Sequence, residues 1–222
     1  MGILDPIRKL TSQSAVWPPI DYELMEAKKA GYLKGKVLNA GAGWRDLSHL
    51  VDGELINQDI TWPDDDRKNI HVFSPIHNIP VSENTFDTIL CIAVLEHVEN
   101  PEEIIPEFLR VLKPDGVVVA SVPFMQPEHK IPTDYQRYTK DGLERLFRHR
   151  GFEIVSSKSV FTVYHSLHWI VYEWLHLRIT LAYKFLRVLL LPPLVYLARH
   201  SNLSSDKLAS VFQVIARKTL KP

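Results

Sequence analysis

The chain has 222 residues, 45% of them hydrophobic and 23% charged, which is ordinary globular composition with enough length to bury a core. Lys+Arg and Asp+Glu are equal at 26 each, so the basic excess of a dedicated nucleic-acid binder is missing. Cys91 is the single cysteine, which excludes an internal disulfide and a cysteine-rich zinc site and points to a reducing compartment.

The charge is unevenly spread. Residues 161–222 carry eight basic and two acidic side chains, a balance of +6, and the first 160 carry −6. The first residues lack the apolar run of a signal peptide. Gly2 does not open a myristoylation motif, because Pro6 stands where Ser or Thr is needed. No stretch reaches 18 uncharged apolar residues, so no ordinary spanning helix is read.

In chain order, residues 1–20 read as an irregular arm ending in Trp17-Pro18-Pro19. A helix is predicted over 21–33 with Asp21 as its N-cap. Short apolar runs then alternate with helical stretches. Lys36–Ala40 reads as a buried strand broken by Gly41-Ala42-Gly43, followed by a short helix over 45–51. Glu54–Asp59 is the second strand, and a weaker one is expected near 70–73. Phe86–Ile92 is a buried strand. Pro101 opens a helix to about Leu112, and Lys113-Pro114-Asp115-Gly116 reads as a stop and turn. Val117–Ser121 is a β-branched run suited to a strand buried on both faces. Thr139 caps a helix that ends before Gly151. Phe152–Ser159 and Ala209–Arg217 are the last strands.

This alternation predicts an α/β fold, a parallel sheet with helices on both faces and right-handed connections. Ligands in such sheets bind at the carboxyl ends of strands, near the point where strand order reverses. Gly41 and Gly43 follow the first strand directly, and Asp59 ends the second. A carboxylate there can accept hydrogen bonds from both ribose hydroxyls. A dinucleotide fingerprint would need a third glycine at position 46, where Asp46 stands and would repel phosphates. A nucleoside without phosphates escapes that objection.

Val37-Leu38-Asn39-Ala40-Gly41-Ala42-Gly43 resembles the first motif of class I S-adenosylmethionine-dependent methyltransferases. The resemblance runs on through Asn78–Asp87, Val94-Leu95-Glu96-His97-Val98 and Glu107–Gly116. It is similar to the methyltransferase type 11 family, over about 36–160 and the final strand. It implies a Rossmann-like seven-stranded sheet with the last strand antiparallel, and S-adenosyl-L-methionine as cofactor. By position, Asn39, Ala40, Gly41 and Gly43 would wrap the methionine part. Asp59 would hold the ribose, Ile76 would offer backbone to adenine, and Ala93 would line the site. The departures are Asn39 where an acid is common, Arg45 in place of a frequent third glycine, and Pro75 in place of an adenine-contacting aspartate. The domain reading is an N-terminal arm and helix over 1–35, then a methyltransferase domain over 36–222 with an apolar helical insertion over 160–205.

For a hydroxyl acceptor a general base is useful. His129, in the polar and aromatic segment after the fifth strand, is the first candidate, because its unperturbed pKa suits the task. Asp134 is the second, acting directly or by orienting a histidine. The competing reading of Asp134 is an ion pair with Arg137 that pins the loop. Tyr135, Arg137 and Tyr138 are candidates to shape an acceptor pocket. His97 reads either as facing the site or as bonded to backbone. His165, His168 and His176 lack the carboxylate or cysteine that would complete a metal site, and Asp64-Asp65-Asp66 reads as a solvated turn. No metal is expected. The partners expected are a small-molecule or lipid-linked acceptor, methylated on oxygen, and no nucleic acid. A non-catalytic scaffold of the same fold stands as the alternative.

Residues 160–200 are apolar and aromatic where the fold needs only a hairpin. The uncharged run Val188–Ala198, interrupted by Pro192-Pro193, is too short to span a bilayer and long enough to lie in its interface. Two readings stand: peripheral contact with an anionic membrane, or a helical lid or homodimer contact. The location expected is cytoplasmic, with the inner face of a membrane as the place such contact would be made.

Overall fold

The computed structural model describes residues 9–17, 20–61, 66–130 and 132–219. Asp64 and Asp65 of the expected acidic turn lie outside them, as does the Asp21 side chain. The described residues divide into two compact units. One comprises Leu24–Pro123, Lys130–Lys158 and the chain from Phe212 onward. The other comprises the described part of Met1–Glu23 with Phe124–His129 and Ser159–Val211.

The larger unit is built on the sheet. Its elements are helix α1 (Ile20–Lys29), strands β1 (Lys34–Ala40), β2 (Asp52–Asp59), β3 (Val72–Phe73) and β4 (Phe86–Ile92), helix α2 (Ile104–Val111), strand β5 (Leu112–Pro123), helix α3 (Lys140–Arg148) and strand β6 (Phe152–Val160). The final strand β7 is Val211–Lys218. The order is β3-β2-β1-β4-β5-β7-β6 in one seven-stranded sheet. β3, β2, β1, β4 and β5 run parallel to one another. β7 is antiparallel. Just beyond β5, Phe124 N–H donates to the Ser210 carbonyl and Met125 N–H to that of Ala209, so one chain index rises as the other falls. Val37, Leu38, Ile89, Leu90, Val118 and Val119 are fully buried, as continuous apolar runs in central parallel strands require.

Three local expectations are corrected. Only Ser48–Leu50 of the predicted 45–51 helix forms, as a 3-10 turn. Asp46 Oδ1 accepts from Ser48 N–H at 2.9 Å, a local bond that competes with helix. α1 begins at Ile20 and stops at Lys29, four residues short of the prediction. Lys113–Gly116 is not a turn between elements but lies within β5, where it forms a bulge. β5 pairs Leu112 with Phe86 and Val117 with Thr88, so its path is the longer one between these pairs. Asp115 takes a left-handed φ of 63° inside it.

Helix α2 is latched by one carboxylate. Glu107 Oε1 accepts from Ile79 N–H at 2.6 Å and from Arg110 Nη2 at 2.8 Å. Arg110 also donates to the carbonyls of Ile79 and Val81. The Arg110 hydrogen bond holds the Glu107 carboxyl below the usual range. Its stabilisation is therefore complete above the unfolded pKa and is lost as pH falls through the lower folded value. Glu107→Ala orphans the Ile79 N–H and should destabilise by about 1–3 kcal/mol. Denaturant midpoints of the two proteins check this, with the difference shrinking in acid.

In the smaller unit, a 3-10 turn (Gln13–Val16) packs with helices α4 (Val163–His176) and α5 (Leu181–His200). α5 runs unbroken through Pro192 and Pro193, which corrects the expected interruption. It is therefore long and apolar enough, by length and composition, to cross a membrane.

Candidate functional site

The sheet order places a switch point between β1 and β4. The chain moves outward from β1 to β2 and β3, then returns to β4 on the other side of β1. Such a reversal opens a crevice at the carboxyl ends of the strands. Gly41, Asp59 and Ala93 follow or end β1, β2 and β4, the three neighbouring strands.

Gly41 turns the chain out of β1 with φ 71°. Its N–H donates to the Gln58 carbonyl at 2.9 Å. A Cβ at Gly41 would lie 2.6 Å from Val94 Cγ2, so the loops after β1 and β4 meet there. Gly43 has φ 59° and, by contrast, no heavy atom within 4 Å of its Cβ direction. That side of the loop is an open cradle. Ala93, an L-residue with φ 54°, is exposed, and backbone held in this region concentrates at functional sites.

Asn39 and Ala40 are buried at the end of β1. Asn39 Nδ2 donates to Asn57 Oδ1 at 3.0 Å, and Asn57 Nδ2 to the Asn69 carbonyl at 2.9 Å. Asn69 Nδ2 returns to the Gly43 carbonyl at 3.2 Å. These amides brace the loop from below. Ile76 is nearly buried, and the preceding Pro75 carbonyl accepts from Asn78 N–H in a turn.

Asp59 is more occupied than a free ribose acceptor. Its Oδ2 accepts from Gly43 N–H at 2.8 Å and from Arg67 Nη1 at 2.6 Å. Its Oδ1 accepts from Ile60 N–H at 2.7 Å. A carboxylate has about four acceptor positions, so the described contacts leave one, on Oδ1. The expected capture of both ribose hydroxyls narrows to one. The donor set still fits a nucleoside, with one acceptor beside an open glycine loop. Arg67 also lies 5.2 Å from the Trp44 ring centroid.

The segment before α3 is laced onto the turn after β4. Tyr135 N–H donates to the Glu96 carbonyl at 2.8 Å, and Gln136 Nε2 to those of Leu95 and Val98 at 3.2 and 2.9 Å. Asp134, nearly buried, is held by both Nη atoms of Arg137. Protonating it would break a bidentate charge pair, and this ion pair is the competing reading of Asp134. His97 Nδ1 lies 2.6 Å from the Thr133 carbonyl, the backbone-bonded alternative. The Tyr138 hydroxyl is buried, and burial is the main cause of its raised pKa. His129 is in the smaller unit. Its ring packs against Trp169 at 5.5 Å between centroids, and Nδ1 lies 3.4 Å from the Pro127 carbonyl.

Sequence reading missed Gln58 and Arg67. Gln58 is buried, accepts from Gly41 N–H at 3.3 Å and donates to the Ser74 carbonyl at 2.6 Å, tying two loops of the crevice. A long amide at the inner end of a buried strand was its signal. Arg67 has no linear signal, because its partner is set by the fold.

Residues 51–120 match the family model described as a methyltransferase domain. Over 98% of this chain and 99% of the other, the fold is shared with an S-adenosylmethionine-dependent methyltransferase from Aquifex aeolicus, at TM-score 0.54 and 17% identity. The family match covers about a third of the chain. The chain is 37% identical over 97 residues to the uncharacterized protein MJ0638 of Methanocaldococcus jannaschii, the match covering 42% of each chain. It thus spans less than half of that relative's length. The [4+2]-cyclase SpnF shares the fold at TM-score 0.62 and 16% identity, over 98% of this chain and 93% of that one. A Burkholderia thailandensis 1,6-didemethyltoxoflavin-N1-methyltransferase, solved with S-adenosylhomocysteine, does so at 0.57 and 19%, over 95% and 80%. At these identities the likeness concerns the fold.

Proposed function

We propose that this chain is an S-adenosylmethionine-dependent methyltransferase acting on an oxygen of a small-molecule or lipid-linked acceptor. The observation that carries the reading is Asp59 at the end of β2, hydrogen-bonded to the glycine loop of β1, beside the open face of Gly43. Asn39, Ala40, Gly41 and Gly43 would hold the methionine part, Asp59 the ribose, and Ile76 and Ala93 the remaining walls. Bound there, the cofactor supplies an electrophilic methyl group on a sulfonium. The chain's own task is to align the acceptor and exclude water.

His129 is the residue we assign to proton acceptance, on its place in the sequence after β5. His129→Ala should lower single-turnover rates by about 10²–10⁴-fold with cofactor affinity unchanged. Full turnover in this variant would remove the assignment. Asp59→Ala should weaken S-adenosylmethionine binding by about 1.5–3 kcal/mol, read by calorimetry.

The test of the function is a screen of hydroxyl-bearing acceptors, free and lipid-linked, with methyl-labelled cofactor. The second reading, a non-catalytic scaffold, is favoured by one observation, that the fold is shared with a cyclase. Cofactor binding without methyl transfer to any acceptor in the screen would support it.

A further inference from the structure

We propose that the α4–α5 hairpin is a docking surface for an anionic lipid bilayer, lying in the interface and not crossing it. This does not depend on the methyl-transfer reading. The hairpin connection and the start of α5 carry the three most exposed large apolar side chains of the described residues, Leu177, Ile179 and Leu181, with Phe185 close behind. Leu177, Ile179, Leu181 and Phe185 are 77%, 81%, 84% and 67% exposed. Along α5, Leu181, Phe185, Val188, Leu189 and Tyr196 continue as one exposed stripe at helical spacing, apart from the face that buries Leu191, Val195 and Ala198. From Leu181 to Tyr196 the stripe runs about 22 Å along the helix. Exposed apolar surface of that extent marks an interaction site.

The tip is built, not frayed. Arg187 donates to the Leu175 carbonyl through Nε and Nη2 at 3.1 and 2.8 Å, closing the end of α4. Thr180 Oγ1 accepts from Tyr183 N–H and caps α5. Trp174 and Tyr183 are in ring contact beside the tip. Such side chains suit the boundary between headgroups and acyl chains.

Charge selects the occupant. Between Val163 and His200 there are four basic residues and one acidic, and the acidic one, Glu173, accepts from Trp169 Nε1. Arg178 and Lys184 are exposed within the apolar tip. A second copy meeting this surface about a two-fold axis would set the same positive charges against each other. Anionic headgroups meet them with the opposite sign.

The prolines select the mode. Pro192 and Pro193 lack the N–H groups that the Val188 and Leu189 carbonyls would receive in mid-helix. Both residues are exposed. Hydrocarbon cannot satisfy such carbonyls, whereas the hydrated interface can.

The test is co-sedimentation of the full chain with vesicles of phosphatidylcholine, with and without phosphatidylglycerol, at low and high salt. Binding should require phosphatidylglycerol and weaken as salt screens it. Arg178→Glu with Lys184→Glu should weaken binding by about tenfold or more. Leu181→Asp with Phe185→Asp should abolish it while leaving the melting temperature unchanged, since both positions are exposed. Equal binding to neutral vesicles, or none to anionic ones at low salt, would overturn the proposal. So would a dimer that this aspartate pair dissociates in a protein indifferent to vesicles, which would assign the surface to self-association. Resistance to alkaline extraction, with the two ends of α5 labelled from opposite sides, would assign a spanning helix instead.

Discussion

Gly41→Ala should destabilise the chain by about 3 kcal/mol or more and abolish S-adenosylmethionine binding. Two costs combine. A left-handed φ costs an L-residue about 1–2 kcal/mol. The new methyl would also stand 2.6 and 2.9 Å from the two γ-carbons of Val94, far inside contact distance, so one of the two loops must move. Those loops form the crevice, and cofactor affinity falls with the displacement. Gly43→Ala pays only the conformational cost, because its Cβ meets nothing within 4 Å. Thermal unfolding checks the pair, at about 2–4 °C per kcal/mol for a chain of this size. Val94→Ala in the Gly41→Ala background should recover part of the loss, because the two sites share one contact. Equal melting temperatures for the two single variants would contradict the packing described for the loop.

Acid should unfold the smaller unit over a window defined by two histidines. Burial holds the pKa of both His165 and His168 down to about 4. His165 Nδ1 accepts from Thr162 N–H at 3.2 Å in the capping box of α4. Protonation would turn that acceptor into a donor and break the cap. His168 is fully buried, with no hydrogen-bond partner for either ring nitrogen among the described residues. Its protonation would place an uncompensated charge in the interior. Both folded values are depressed, so the unfolded state binds more protons in the window. The stabilisation is fully present above about pH 6.5 and is lost as pH falls toward 4. The loss is of the order of several kcal/mol for the two together. His168→Phe should flatten the pH dependence of stability in that window, and an unchanged slope would show that other groups carry it.

Strands were legible wherever apolar residues ran unbroken. Phe86–Ile92 was read with its observed bounds, because a strand buried on both faces leaves no alternative pattern. Lys113–Gly116 was misread because proline and glycine together mimic a turn. Pairing with β4 on both sides of the bulge makes it part of a strand, and pairing is not visible in linear order. The same holds for Pro192-Pro193, where packing of Leu191, Val195 and Ala198 sustains a helix that propensity alone would break. At the site, the glycine loop and Asp59 were legible as types at a spacing. What surrounds Asp59 was not. Arg67 and the Gly43 N–H fill most of its acceptor positions through the fold alone.

S-adenosylmethionine binding in the crevice between β1 and β4 is the expectation on which the proposed function depends. Titration calorimetry of the wild-type chain with S-adenosylmethionine, with S-adenosylhomocysteine and with NAD tests it most directly. Both sulfur nucleosides should bind one-to-one, and NAD should give no heat, because its pyrophosphate would meet Asp46. Binding of NAD, or no binding of either sulfur nucleoside by a folded chain, would contradict that expectation.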